Sequence, residues 1–102
     1  MNVGNQAWGS DIGSAVAALK AGHRVTRAGW NGKGTWLSLT AGRVVAAANF
    51  WSEANMTFAR SQPNGMAKVR PYVTMKTVDG AIVPWVCSQS DLLADDWEVL
   101  PL

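Results

Sequence analysis

From Asp11 the apolar residues fall at helical spacing. Ile12, Val16 and Leu19 stand at i, i+4 and i+7, which stacks them on one helix face. Ser10 or Asp11 is placed to cap the start and Gly22 to end it, so the spacing predicts a helix over 11–21. The period then drops toward two. His23–Arg27 sets Val25 against polar Arg24 and Thr26 as a short strand. The Asn31-Gly32-Lys33-Gly34 run is turn chemistry. Trp36, Leu37 and Leu39 make the next strand, and Ala41-Gly42 turns it into a strand over Arg43–Ala47. Tyr72–Thr77 and Ala81–Val86 flank Asp79-Gly80, a strong hairpin signal. A helical turn over Ser88–Ala94 and a last strand over Trp97–Leu100 complete the pattern. Residues 1–10 read as a lead-in anchored by Trp8. Residues 46–70 read as a variable loop with fragmentary structure, broken by Gln62-Pro63-Asn64-Gly65.

One helix followed by about five strands, without alternating βα units, predicts an α+β fold. An N-terminal helix packs on a small antiparallel β-sheet. At 102 residues the chain reads as a single domain. Domains of this size are often marginal alone, and an open strand edge invites pairing, so an oligomer is expected.

Composition sharpens that picture. Charged residues make up only 16% of the chain and there are six Trp. Trp is enriched at interfaces and in binding pockets, so some of these rings are expected to face a partner or ligand. The net charge of +2 is unevenly spread. Residues 1–90 hold all nine Lys and Arg against Asp11, Glu53 and Asp79, whereas residues 91–102 hold four acids and no cation. The cations are dispersed, which argues against a long nucleic acid and leaves a small anion as a candidate partner. With one cysteine there is no intrachain disulfide. No leader pattern or apolar stretch of membrane-spanning length is visible, and the chain reads as cytosolic.

Candidate chemistry is sparse. A nucleophile needs a base, and the one histidine, His23, stands at the far end of the helix from Cys87, which reads as a small hydrophobe within an apolar strand. One His and one Cys make no metal site, and no metal or cofactor is expected. Asp91 and Asp95, four apart, would share a helix face, as acid–base work on a glycosidic bond requires. Yet Ser88-Gln89-Ser90-Asp91 also fits a helix-start box in which Asp91 reaches back to the backbone. The turn at Gly29–Gly34 lacks phosphate-loop spacing, although glycines let a ligand approach closely. Trp30 and Trp85 stand beside polar neighbours and suit stacking on a base, but a core or interface role fits each of them as well.

Two blocks, TRAGWNGKGTWLSL and YVTMKTVDGAIVPWVCSQSDLLADDWEVL, resemble the viral Thoeris anti-defence family of the second type, and the helix IGSAVAALKAGHRVTRAGW fits its opening. These are small phage and prophage proteins, once known only as a domain of unknown function. The resemblance spans most of residues 11–100 but is not carried by residues 46–70, and Cys87 stands where alanine is expected. It implies a sponge that sequesters cyclic ADP-ribose isomers made by bacterial TIR-domain proteins without degrading them. It further implies a homotetramer built from dimers, pockets between subunits, action in the cytoplasm of the bacterial host, and in some members a second site for cyclic di- or trinucleotides. Carried over by motif, Trp30 and Trp85 stack on adenine. Asn31, Ser88, Gln89 and Asp91 make polar contacts to base or ribose, and Arg27 and Lys33 bind phosphate. On this reading Trp85 to Asp91 forms a pocket wall, and Asp95 to Trp97 closes the fold. The rival readings are a hydrolase of the same ligand, using Asp91 or Asp95, and a phage structural or protein-interaction module.

Overall fold

The structure, a computed structural model, describes residues 8–30 and 34–101. Most of the lead-in and the Asn31–Lys33 tip of the glycine turn lie outside those residues. The chain divides into two compact units, one formed by residues up to Leu39 together with Val73 onward, the other by Thr40–Tyr72.

The first unit contains the expected helix-on-sheet fold. Helix α1 (Ile12–Lys20) starts where Asp11 adopts extended backbone and its carboxylate accepts the Ser14 N–H at 2.8 Å. Strands β1 (Val25–Arg27), β2 (Trp36–Thr40), β5 (Tyr72–Lys76), β6 (Ile82–Pro84) and β7 (Trp97–Val99) form a five-stranded antiparallel sheet in the order β6-β5-β2-β1-β7. The last strand of the chain therefore pairs with the first, in the register Val25↔Val99, Thr26↔Glu98 and Arg27↔Trp97. A four-residue helix α3 (Gln89–Leu92) lies between β6 and β7.

The core is small. Ala15, Ala18 and Leu19 of α1 meet Val25, Leu37 and Trp97. The buried helix face is rotated from the expected one: Val16 is 40% exposed, whereas Ala15 and Ala18 are buried. Alanines on the seam let a helix lie close to a sheet, and the spacing of large side chains does not register them. Trp97, at 3% exposure, is the one buried aromatic ring among the described residues. Trp8 packs edge-on against His23, with ring centroids 5.5 Å apart, and so anchors the chain ahead of α1.

The second unit corrects the reading of residues 46–70 as loop. Strand β3 (Arg43–Ala46) pairs antiparallel with β4 (Met66–Val69), and a 3-10 turn (Ala47–Asn49) and helix α2 (Glu53–Arg60) connect them. Helix α2 has its proper end signals. Ser52 caps it by accepting the Asn55 N–H, Glu53 lies in the first turn and Arg60 in the last, each favourable to the helix dipole. Its buried seam is only Ala59, with Met56 half-buried, while Phe58 is 58% exposed. A helix that buries so little has little apolar periodicity to detect.

Gly42 sits at a close crossing of two segments. A Cβ built there would lie 2.6 Å from the Val69 carbonyl oxygen and 2.9 Å from the Pro71 nitrogen, both backbone atoms that cannot step aside. Gly42→Ala is therefore expected to destabilise the protein by about 1–3 kcal/mol, seen as a lowered thermal midpoint. An unchanged midpoint would contradict the crossing.

Candidate functional site

Two segments far apart in sequence converge at the Arg27 end of β1. The ladder between β1 and β7 brings Arg27 opposite Trp97, and the chain before β7 carries Asp91 and Asp96 to the same place. The Arg27 guanidinium donates from Nη1 to Asp91 Oδ1 at 2.7 Å and from Nε to Asp96 Oδ1 at 2.7 Å. Trp30 Nε1 donates to the same Asp91 Oδ1 at 3.1 Å. The Gly29 N–H donates to Asp96 Oδ2 at 2.7 Å. Gly29 has to be glycine for this approach, since a Cβ there would lie 2.7 Å from that oxygen.

Beside this polar group stands a cluster of indoles. Trp30 and Trp85 both pack nearly perpendicular to Trp97, with centroid distances of 5.4 and 6.1 Å and interplanar angles of 78° and 88°. Trp97 is buried, and its Nε1 donates to the Asp91 carbonyl oxygen at 3.0 Å. The two outer rings are half-buried and keep exposed surface. Edge-to-face contact of this kind holds an aromatic ring without covering both of its faces.

The Ser88 box forms in part. Ser88 Oγ accepts the Asp91 N–H at 3.0 Å and caps α3. Among the described residues the Asp91 carboxylate does not answer with a backbone contact and turns to Arg27 and Trp30. Gln89 is exposed on the first turn of α3. Of the eight expected site residues, Arg27, Trp30, Trp85, Ser88 and Asp91 are brought together with or around Trp97, Gln89 lies on the adjoining turn, and Asn31 and Lys33 lie outside the described residues.

Two participants are not legible in the sequence. Asp96 reads as part of the segment that closes the fold, and nothing in its local sequence announces that it meets Arg27 and Gly29; the register of β7 on β1 decides that. Lys76 on β5 donates from Nζ to the Gly34 carbonyl at 2.8 Å, at the foot of the glycine turn, and among the described residues it has no carboxylate partner. Cys87 is also corrected. Strand β6 ends at Pro84, and Cys87 is exposed beyond it. Desolvation and then the charge of Asp91 push its thiol up, away from the thiolate a nucleophile needs. Trp36 is half-buried with Arg24 over its ring at 5.2 Å, and Trp51, in the second unit, is fully exposed.

Electrostatically the site is a cation between two carboxylates. The Arg27 hydrogen bond holds the Asp96 carboxyl below its ordinary range, with help from the Gly29 N–H. For Asp91, burial works the other way, but the hydrogen bonds from Arg27, Trp30 and Ser88 together outweigh it, and its carboxyl is also lowered. A lowered folded-state value stabilises the fold above the unfolded value, and that contribution disappears as pH falls through the folded one. Melting temperature is therefore expected to fall as pH drops from about 5 to about 2, with a shallower acid limb in Asp96→Asn. Parallel acid limbs in the two proteins would exclude this pairing. Among the described residues no group of three His, Cys, Asp or Glu could hold a metal, and no helix is long and apolar enough to cross a membrane.

A concavity of about 770 Å³ lies within the second unit, lined among others by Arg43, Asn49, Phe50, Trp51, Asn55 and Tyr72. A family model described as the Thoeris anti-defense 2-like domain matches residues 10–100. A phage protein named Thoeris anti-defense 2, from Bacillus phage SP01, is 33% identical over 89 residues, covering 87% of this chain and 92% of that protein.

Proposed function

This chain belongs to the Thoeris anti-defense 2-like family, whose role is anti-defence, and from that premise we propose that it is a nucleotide sponge. It binds cyclic ADP-ribose isomers made by TIR-domain defence proteins and withholds them intact, in the cytoplasm of the infected or lysogenic bacterium. The observation that supports this most is the placement of Trp30 and Trp85. Rings contributed by distant segments stand half-exposed against one buried indole, as a stacking platform for a purine requires.

The acidic group divides the ligand. One guanidinium between two ionised carboxylates leaves a net negative charge, which repels phosphate and favours donors such as ribose hydroxyls and the adenine amine. Arg27 is thus a poor phosphate ligand in this arrangement. The pyrophosphate belongs instead by the glycine turn, where Lys76 supplies a cation and Lys33 is carried over from the family motif as a second. The same electrostatics disfavour Asp91 as the general acid of a hydrolase, since a general acid needs a carboxyl raised toward neutrality and that of Asp91 is lowered.

The pocket is completed in a homotetramer built from dimers. Strand β6, exposed along its length at one edge of the sheet, together with Val86 and Leu93, at 85% and 74% exposure, offers surface for that assembly. The cavity of the second unit suits a cyclic di- or trinucleotide, since it combines Phe50, Trp51 and Tyr72 with the cation of Arg43.

The decisive experiment incubates the protein with cyclic ADP-ribose and glycocyclic ADP-ribose, denatures it by heat and analyses the supernatant. Unchanged ligand is expected, together with a thermal stabilisation of about 2.7 kcal/mol at a hundredfold excess over Kd. Linear ADP-ribose would establish the hydrolase instead, and no stabilisation by either isomer would remove the ligand class.

A further inference from the structure

We propose that Asp96 and Arg27 are positioning residues that set the angle of the Trp30 ring by closing a hydrogen-bonded circuit around it. The circuit runs from Asp96 Oδ2 to the Gly29 N–H, along the chain to Trp30, from Trp30 Nε1 to Asp91 Oδ1, from there to Arg27 Nη1, and from Arg27 Nε back to Asp96 Oδ1. The Asp96 backbone joins in, its carbonyl accepting the Ala28 N–H at 3.0 Å, and the Trp30 N–H donates to the Arg27 carbonyl at 3.2 Å. The indole nitrogen of Trp30 and the N–H of the residue before it are thereby tied to one guanidinium–carboxylate group, while the Trp30 peptide N–H is held by the Arg27 main-chain carbonyl. An indole has two side-chain torsions, so fixing Cα and Nε1 fixes the plane on which a base would stack.

A purely structural ion pair is the rival explanation, and one observation weighs against it. Strands β1 and β7 are already joined by three residue pairs of their own ladder, so the pair is not needed to hold them in register. What this group supplies is geometry. Asp91, expected as a ligand contact, acts within it by holding the ring, and Gly29 is the opening through which Asp96 enters.

The part of this inference that concerns affinity rests on the sponge reading, so the test has one arm without ligand. In that arm the indole N–H signals are followed by ¹⁵N NMR in the full chain. In Asp96→Asn and in Gly29→Ala, the Trp30 signal is expected to shift and to exchange faster with solvent. The Trp97 N–H, bonded to the Asp91 carbonyl, is expected to keep its position. An unmoved Trp30 signal in both folded variants overturns the proposal, and equal change at Trp30 and Trp97 also overturns it, because that marks general loosening.

The second arm titrates glycocyclic ADP-ribose into wild type, Asp96→Asn, Trp30→Ala and the double variant. Asp96→Asn is expected to weaken binding about tenfold in wild type and hardly at all in the Trp30→Ala background. Equal losses in the two backgrounds would mean that Asp96 does not act through Trp30. Binding by wild type that Trp30→Ala leaves untouched would overturn the sponge site as drawn, and the NMR arm would still decide the circuit.

Discussion

Replacing Trp97 with alanine is expected to destabilise the protein by about 3–5 kcal/mol, enough to threaten a domain of this size. Trp97 is the largest side chain in the buried core and the ring on which Trp30 and Trp85 both rest. Its removal leaves a cavity under α1 and strips two half-buried rings of their support. It also leaves the Asp91 carbonyl without its indole donor. Urea denaturation followed by circular dichroism reads the loss. Trp97→Phe separates the parts, since it keeps most of the apolar volume and forfeits the hydrogen bond, whose net contribution is about 1 kcal/mol. A Trp97→Ala protein as stable as wild type would mean that the core does not centre on this ring.

The second large effect concerns the ligand. Trp30→Ala and Trp85→Ala are each expected to weaken binding of glycocyclic ADP-ribose by about 1–3 kcal/mol, or roughly 5- to 150-fold. Calorimetric titration measures it directly. Trp36→Ala is the control. Trp36 alternates with buried Leu37 along β2 and stacks under Arg24, so it points to the other face of the sheet from the indole cluster, and its loss should leave affinity unchanged. If all three variants lose affinity equally, oligomer disruption explains the loss and the indoles serve assembly. If Trp30→Ala and Trp85→Ala bind as wild type, the purine does not stack there.

The two effects are coupled through the fold, and this bears on how the site is built. A stacking platform needs rings that are rigid without being covered. Here Trp97 provides the rigidity by being buried, and the polar circuit at Arg27 sets the orientation of Trp30. Among the described residues the Trp85 indole has no comparable hydrogen bond. That ring is placed by packing and by its own backbone, whose N–H donates to the Val73 carbonyl at 3.1 Å. A difference in ring mobility between Trp30 and Trp85 follows from this asymmetry.

Local sequence patterns set the features that depend on neighbours within a few residues. The Asp11 cap, the spacing of Ile12 and Leu19, the alternation around Leu37 and the Asp79-Gly80 turn each act over one helical turn or one strand pair. They specified α1, the sheet strands and the α+β class, and they marked Trp30, Trp85 and Asp91 as residues worth attention. What those residues touch depends on long-range contacts of the folded chain. Asp96 meets Arg27 because β7 pairs with β1 across some seventy positions of chain, a register no local pattern encodes. The local sequence around Asp91 favoured capping over ligand contact, yet folding set a guanidinium and an indole N–H against one of its oxygens. Helix α2 and the β3–β4 pair stayed illegible for a related reason: they bury little, and apolar periodicity is visible only where there is a core to demand it.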